Sequence, residues 1–244
     1  VQLRFSILSW GAWAPKYPQR DDWQTWCKHS ADTSKDYLEG ISPALPLVPA
    51  MQRRRFSRLT KMMLDVSFQC EAAPNCRSIF ASRHGELHRT IGLLEDIIEK
   101  QPLSPLGFSQ SVHNTGSGIF GILTNNTAPS TSIAAGTETL SQAMVEAFAQ
   151  LHQSSEPLLL VFGDDPVPPV YDEFTQEFEL PLALGLTLAP ADESATVTLT
   201  LSQLTAEQQQ NATPLSYGML IHALATSQDI DGCLSHWHWS LTHA

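Results

Sequence analysis

Apolar positions recur along the chain at two alternating rhythms, one of strands and one of helices. Residues 5–13, FSILSWGAW, make a compact run that reads as a buried strand, and a connection carrying Trp23, Trp26 and Tyr37 follows as far as Pro49. From Met51 the spacing turns helical. Phe56, Leu59, Met62, Met63 and Val66 recur at steps of three and four with arginines opposite, which predicts one amphipathic helix. Residues 78–81 give a short strand, and a second helix follows Arg83-His84-Gly85, with Leu87, Ile91, Leu94, Ile97 and Ile98 on one face and its end at Pro102. Ser104-Pro105 marks another helix start, because proline is tolerated in a first turn where its missing N–H is not needed. The helical segment behind it, running to residue 123, carries Gly107, Gly116, Gly118 and Gly121. Each glycine weakens a free helix by up to about 1 kcal/mol relative to alanine, so close packing against another backbone is expected there.

Residues 130–135 read as a strand and 138–151 as a helix, with Leu140, Ala143, Met144, Ala147, Phe148 and Leu151 on one stripe. The wholly apolar run 158–162 suits a strand buried on both faces of a parallel sheet. Residues 181–188 and 196–201 follow as strands too close together for a helical crossover, so one should run antiparallel to its neighbour. Residues 215–224 read as a helix leading to an HWHW tail. Alternating strands and helices predict an α/β fold with a mostly parallel sheet covered on both faces. No repeat or low-complexity linker divides the chain.

A length of 244 residues and 42% hydrophobic content support a real core. The net charge of -11 argues against nucleic acid as a partner, since phosphate backbones are bound by basic surfaces. Arg53, Arg54, Arg55, Arg58 and Lys61 nevertheless concentrate positive charge in one place. That run reads either as a solvated helix face or as a dock for an acidic partner. Cys27, Cys70, Cys76 and Cys233 fit no common zinc spacing, and reduced thiols in a cytoplasmic protein are expected. No apolar stretch is long enough for a membrane span.

The stretch STSIAAGTETLSQA has the shape of a nucleophile elbow: strand, small-residue corner, helix. Such a corner stabilises a thiolate or oxyanion through the free N–H groups of the helix N-terminus. Here Gly136, Thr137 and Glu138 occupy it, and an unactivated threonine beside a carboxylate is a poor nucleophile. His113 reads as a general base or as a hydrogen-bonded structural residue. His84 and His88 have the spacing of a metal pair on one helix face but lack a third ligand, so no metal or cofactor is expected. His236 and His238 read as surface or interface residues. Asp164, Asp165, Asp172 and Glu173 flank a proline-rich loop after a strand, which reads as a solvated acidic loop or a cation site.

The segments RRRFSRLTKMMLDV (53–66), ASRHGELHRT (81–90), SPLGFSQSVHNTGSGIFGI (104–122) and TNNTAPSTSIAAGTETLSQAMVEA (124–147) resemble, in that order, the N-terminal half of a β-ketoacyl synthase. More narrowly they are similar to the ketosynthase-like chain length factors of bacterial aryl polyene clusters. The resemblance runs over residues 1–204 and implies one half of a thiolase fold, a mostly parallel five-stranded sheet with one antiparallel strand and helices on both faces. Residues 205–244 would then be a C-terminal helical extension. Laid on the family's Pro-Ser-x-x-Ile-x-x-Ala-Cys pattern from Pro129 and Ser130, the cysteine's place falls at Thr137. Neither of the family's histidine motifs occurs in the chain.

The resemblance therefore implies a catalytically silent subunit that heterodimerises with an active β-ketoacyl-ACP synthase, with acyl carrier protein as an indirect partner. The family pairs its third strands across a two-fold axis. That places Ser130, Thr131, Ser132, Ile133 and Ala134 at the partner interface with Ser111, Val112, His113 and Asn114. Phe108, Ser111, Ile119 and Phe120 would shape the acyl tunnel, and Arg53, Arg54 and Arg58 would be the candidates for docking the carrier. Two other readings stay open: an acyltransferase or thioester hydrolase acting alone through His113 with Ser111 or Thr137, and a homodimeric acyl-chain-binding module.

Overall fold

The computed structural model describes residues 2–27, 41–175 and 181–244, so Tyr37 lies outside the described residues. Its backbone is one eight-stranded sheet, ordered β3-β2-β4-β5-β1-β6-β8-β7. The strands are β1 (Gln2–Trp13), β2 (Arg77–Ala81), β3 (Ser130–Ile133), β4 (Leu158–Asp164), β5 (Leu182–Pro190), β6 (Val197–Gln203), β7 (Ile230–Leu234) and β8 (Trp237–His243). Among the described strands only β2 pairs in parallel, with β3 and β4. All other neighbouring strands run antiparallel.

The α/β class is as expected, but the five mostly parallel strands become eight mostly antiparallel ones. The reason lies in the covering layers. Both faces of the sheet are buried. β4 is parallel to β2 on one side and antiparallel to β5 on the other, and the buried run 182–188 of β5 arises with antiparallel pairing on both sides. Leu158, Leu160 and Phe162 point into one core and Leu159 and Val161 into the other, the two-residue alternation of a strand.

The helix read over 51–66 is two: α1 (Ala50–Arg53) and α2 (Arg58–Gln69). Ser57 interrupts it as an N-cap, its side chain accepting from the Thr60 N–H. α2 lies on β1, β4 and β5 and fills one core with Met62, Leu64 and Val66. It comes close because Gly11 of β1 and Gly185 of β5 face one another in register beneath it. A Cβ on Gly185 would meet the Val66 carbonyl oxygen at 2.8 Å.

α3 (Leu87–Ile98) follows β2 and buries none of its residues. The segment expected as one helix to residue 123 is also broken, into α4 (Pro105–Ser109) and α5 (Thr115–Thr124). Ser104 caps α4 as its sequence predicts, accepting from the Gly107 N–H.

α6 (Thr139–Gln153) packs on the opposite face, against β1, β2, β4 and β5. Residues 205–244 supply α7 (Ala206–Asn211) and α8 (Tyr217–Thr226), but also the β7–β8 hairpin, so this stretch is not a purely helical extension. Trp237, Trp239 and Leu241 of β8 enter the same core as Leu140 and Met144 of α6, with Leu220, Ile221 and Leu224 of α8. The tail is thereby part of the core around α6.

Candidate functional site

The two ends of the sheet differ. Beyond β7, residues 213–215 take up the outer edge, with the Cys233 N–H donating to Thr213 O at 2.7 Å and the Leu215 N–H to Cys233 O at 2.8 Å. β3 closes the other end and, among the described residues, has β2 on one side only. The carbonyls of Pro129 and Ile133 accept from Ser78 and Ser82 of the β2 side. Backbone groups alternate in direction along a strand, so those of Ser130 and Ser132 face away from β2. α5 runs beside this edge. Together they form an open groove of ≈ 590 Å³ lined by Asn114, Ser117, Gly118, Gly121, Ile122, Ser130 and Ser132, among others.

β3 leads directly into the corner. Gly136 turns it with φ +56, a left-handed conformation that glycine adopts without strain. Thr139 satisfies the turn, its hydroxyl accepting from the Ala135 N–H at 3.0 Å and donating to Gly136 O at 2.7 Å. Glu138 sits ahead of α6, where a carboxylate complements the dipole. Its Oε1 accepts from the His236 backbone N–H at 3.2 Å and lies 2.6 Å from His236 Nδ1. Ser235 Oγ donates to Thr137 O at 2.9 Å. The β7–β8 turn thus fastens onto the corner. Thr137 is exposed, and the imidazole here is engaged by Glu138 rather than poised on the threonine.

The remaining histidines are tied elsewhere. His113 lies between α4 and α5 instead of inside a helix, and its Nε2 meets Ser82 O at 2.8 Å. Ser111 donates to Phe108 O at 2.8 Å. Among the described residues no hydrogen bond joins His113 to Ser111 or Thr137. His84 precedes α3 while His88 lies in it and meets Pro166 O at 2.6 Å, which dissolves the expected helix-face pair. No group of three or more His, Cys, Asp or Glu able to hold a metal occurs among the described residues. His238 lies 3.5 Å from Asp231 across the β7–β8 hairpin. The four cysteines are free.

Of the tunnel candidates, Phe120 is buried against Phe80 at 5.6 Å between ring centroids, and Ile119 packs on the same core. Phe108 stands in solvent, and Ser111 is half-buried. Of the interface candidates, Val112, His113, Asn114 and Ala134 are exposed, while Thr131, Ser132 and Ile133 are half-buried.

The arginine run divides by role. Arg53 Nη1 donates to Ala44 O at 2.6 Å and Leu45 O at 3.1 Å, and Arg58 forks onto Asp165 with Nε to Oδ1 at 2.8 Å. Arg54 is exposed. Two adjoining grooves share Ser42 and Lys61. One, of ≈ 490 Å³, includes Arg58 and Arg89, and the other, of ≈ 400 Å³, includes Arg53 and Arg54.

Sequence reasoning missed Asp164 as a buried group. It ends β4 only 4% exposed, where Oδ1 accepts from Ser82 Oγ at 2.9 Å and the Arg83 N–H at 2.7 Å. Burial pushes its carboxyl up to about 6, against those hydrogen bonds. Its place at the end of an apolar strand was the available signal. Glu86 is likewise buried, accepting from Ser57 Oγ at 2.8 Å and Thr60 Oγ1 at 2.6 Å, and desolvation raises its pKa.

The family described as beta-ketoacyl synthase, N-terminal domain, matches residues 23–240, and the chain belongs to it. Among solved structures, a chain of the complex between the ketosynthase ApeO and its chain length factor ApeC from Xenorhabdus doucetiae is similar over 99% of this chain and 100% of that chain, with TM-score 0.77 and 22% identity. The AntDE:AntF complex of a type II PKS acyl-carrier protein with its ketosynthase is similar over 86% and 73%, with TM-score 0.59 and 12% identity. A beta-ketoacyl synthase from Burkholderia phymatum STM815 is similar over 93% and 71%, with TM-score 0.55 and 13% identity. These likenesses show the thiolase-like fold. No curated protein matches the chain. No helix among the described residues is long and apolar enough to cross a membrane.

Proposed function

We propose that this chain is a non-catalytic chain length factor of aryl polyene biosynthesis, which heterodimerises in the cytoplasm with an active β-ketoacyl-ACP synthase. One observation carries the reading: the open β3 edge leads into a corner that holds Gly136, Thr137 and Glu138 where the family holds its cysteine, and the β7–β8 turn is fastened onto that corner. An enzyme corner must leave room for an acyl group and place a base on its nucleophile. A carboxylate held by His236 provides neither. The ketosynthase–chain length factor complex similar over the whole length of this chain supports the same reading.

In this function the partner supplies the condensing cysteine and histidines. Ser130 to Ala134, with Ser111, Val112, His113 and Asn114, meet the partner. Phe108, Ser111, Ile119 and Phe120 shape its acyl tunnel, the first two from the surface and Phe120 from the core. Arg54, on the groove it shares with Arg53 and next to the groove that includes Arg58, contacts the carrier protein. Affinity purification from the native host, followed by mass spectrometry, tests the assignment. A stoichiometric ketosynthase bearing an active cysteine is the expected result. A folded chain that captures none and turns over acyl thioesters by itself would refute it.

A further inference from the structure

α3 is amphipathic in sequence yet buries nothing, which asks what covers its apolar face. Leu94, Ile97 and Ile98 are exposed, Ile98 by 78%, and Leu106 and Phe108 of α4 are exposed nearby in the chain, Phe108 by 65%. α4 packs back on α3, with a Cβ at Gly107 falling 3.6 Å from Leu93. The two form a helical hairpin whose exposed side chains include Leu94, Ile97, Ile98, Leu106 and Phe108. Most of the large apolar side chains left exposed among the described residues lie between Leu94 and Ile122. Such a concentration marks an interaction surface rather than the scattered exposure of an ordinary monomer.

We infer that the outward face of the α3–α4 hairpin is a second docking surface for the same ketosynthase subunit that pairs with β3, an inference that rests on the proposed function. Size and continuity support this occupant. β3 has four residues, a span of about 13 Å at strand rise, too short to bury the roughly 800 Å² per partner of a stable interface by edge pairing alone. The hairpin continues through residues 111–114 into α5, and Asn114 already lines the groove beside β3. The exposed residues 112–114 thereby link hairpin and edge.

Charge selects among occupants. Glu95, Asp96 and Glu99 are interleaved with the apolar residues, and the chain carries -11 overall. An anionic membrane would repel this face. A second copy would bring two such acidic flanks together, whereas a less acidic protein partner meets no such repulsion.

The test measures affinity between purified chain and the host ketosynthase for wild type, for Ile97→Glu with Ile98→Glu, and for Phe174→Glu as an exposed apolar control elsewhere. All three positions face solvent, so folding should be unchanged, and circular dichroism checks it. The double variant should bind roughly thirtyfold or more weakly while the control binds as wild type. Equal binding by the double variant and wild type overturns the docking surface but leaves the proposed function standing. A wild type that binds no ketosynthase overturns both. Self-association lost in the double variant would identify a second copy as the occupant instead, and association with phosphatidylcholine–phosphatidylglycerol vesicles would identify a membrane.

Discussion

The hydroxyl of Ser235 donates to the carbonyl oxygen of Thr137 at 2.9 Å, tying the turn between β7 and β8 to the corner that opens α6. The neighbouring pair repeats the contact through His236 and Glu138. Both ends of the tail are therefore committed: its turn to the corner, and β8 and α8 to the core around α6.

Trp239, 1% exposed in that core, measures how far the tail carries the fold. Trp239→Ala should lower stability by about 3–5 kcal/mol, read as a drop in the urea midpoint. An unchanged midpoint would mean that the tail packs outside the cooperative unit.

Placing a cysteine in the corner should not restore chemistry. The Glu138 carboxylate opposes a neighbouring thiolate, and no base is aimed at position 137. Thr137→Cys, incubated with an acyl thioester and followed by intact mass, should gain an adduct at position 137 no faster than at the exposed Cys27. Rapid, selective acylation would mean that the site retains its activating environment.

The elements that sequence spacing revealed best are those with one dominant neighbour. α6 announced itself through its stripe, and the corner through its small residues and missing cysteine. The strand direction stayed hidden because helices cover both faces and erase the difference between parallel and antiparallel runs. The tail was misread for another reason. Trp237, Trp239 and Leu241 alternate with His238 and Ser240, a two-residue rhythm that is a strand signal, but only seven residues carry it. The outward-facing backbone of Ser130 and Ser132 is fixed by pairing, which no single segment encodes.

Asp164 should make stability depend on pH in a defined window. Its folded value near 6 lies above the ordinary 3.8, so between those values the folded chain keeps a proton that the unfolded chain has released. The group's contribution is fully present below about pH 4 and is lost as pH rises through about 6. Asp164→Asn, whose amide oxygen still accepts from Ser82 and Arg83, lacks this dependence. Relative to the variant, wild type should lose up to about 3 kcal/mol between pH 4 and pH 7 in urea titrations. Parallel curves for the two proteins would show that Asp164 does not titrate in that window.

Edge pairing through β3 is the central claim, and native mass spectrometry of the chain co-expressed with its host ketosynthase tests it most directly when wild type is set beside Ser132→Pro. Proline at this position removes a backbone N–H directed away from β2 and spares the pairing with β2. The account predicts a one-to-one heterodimer for wild type and separate, folded subunits for the variant. A heterodimer that survives the proline, or a wild type that never forms one, would contradict it.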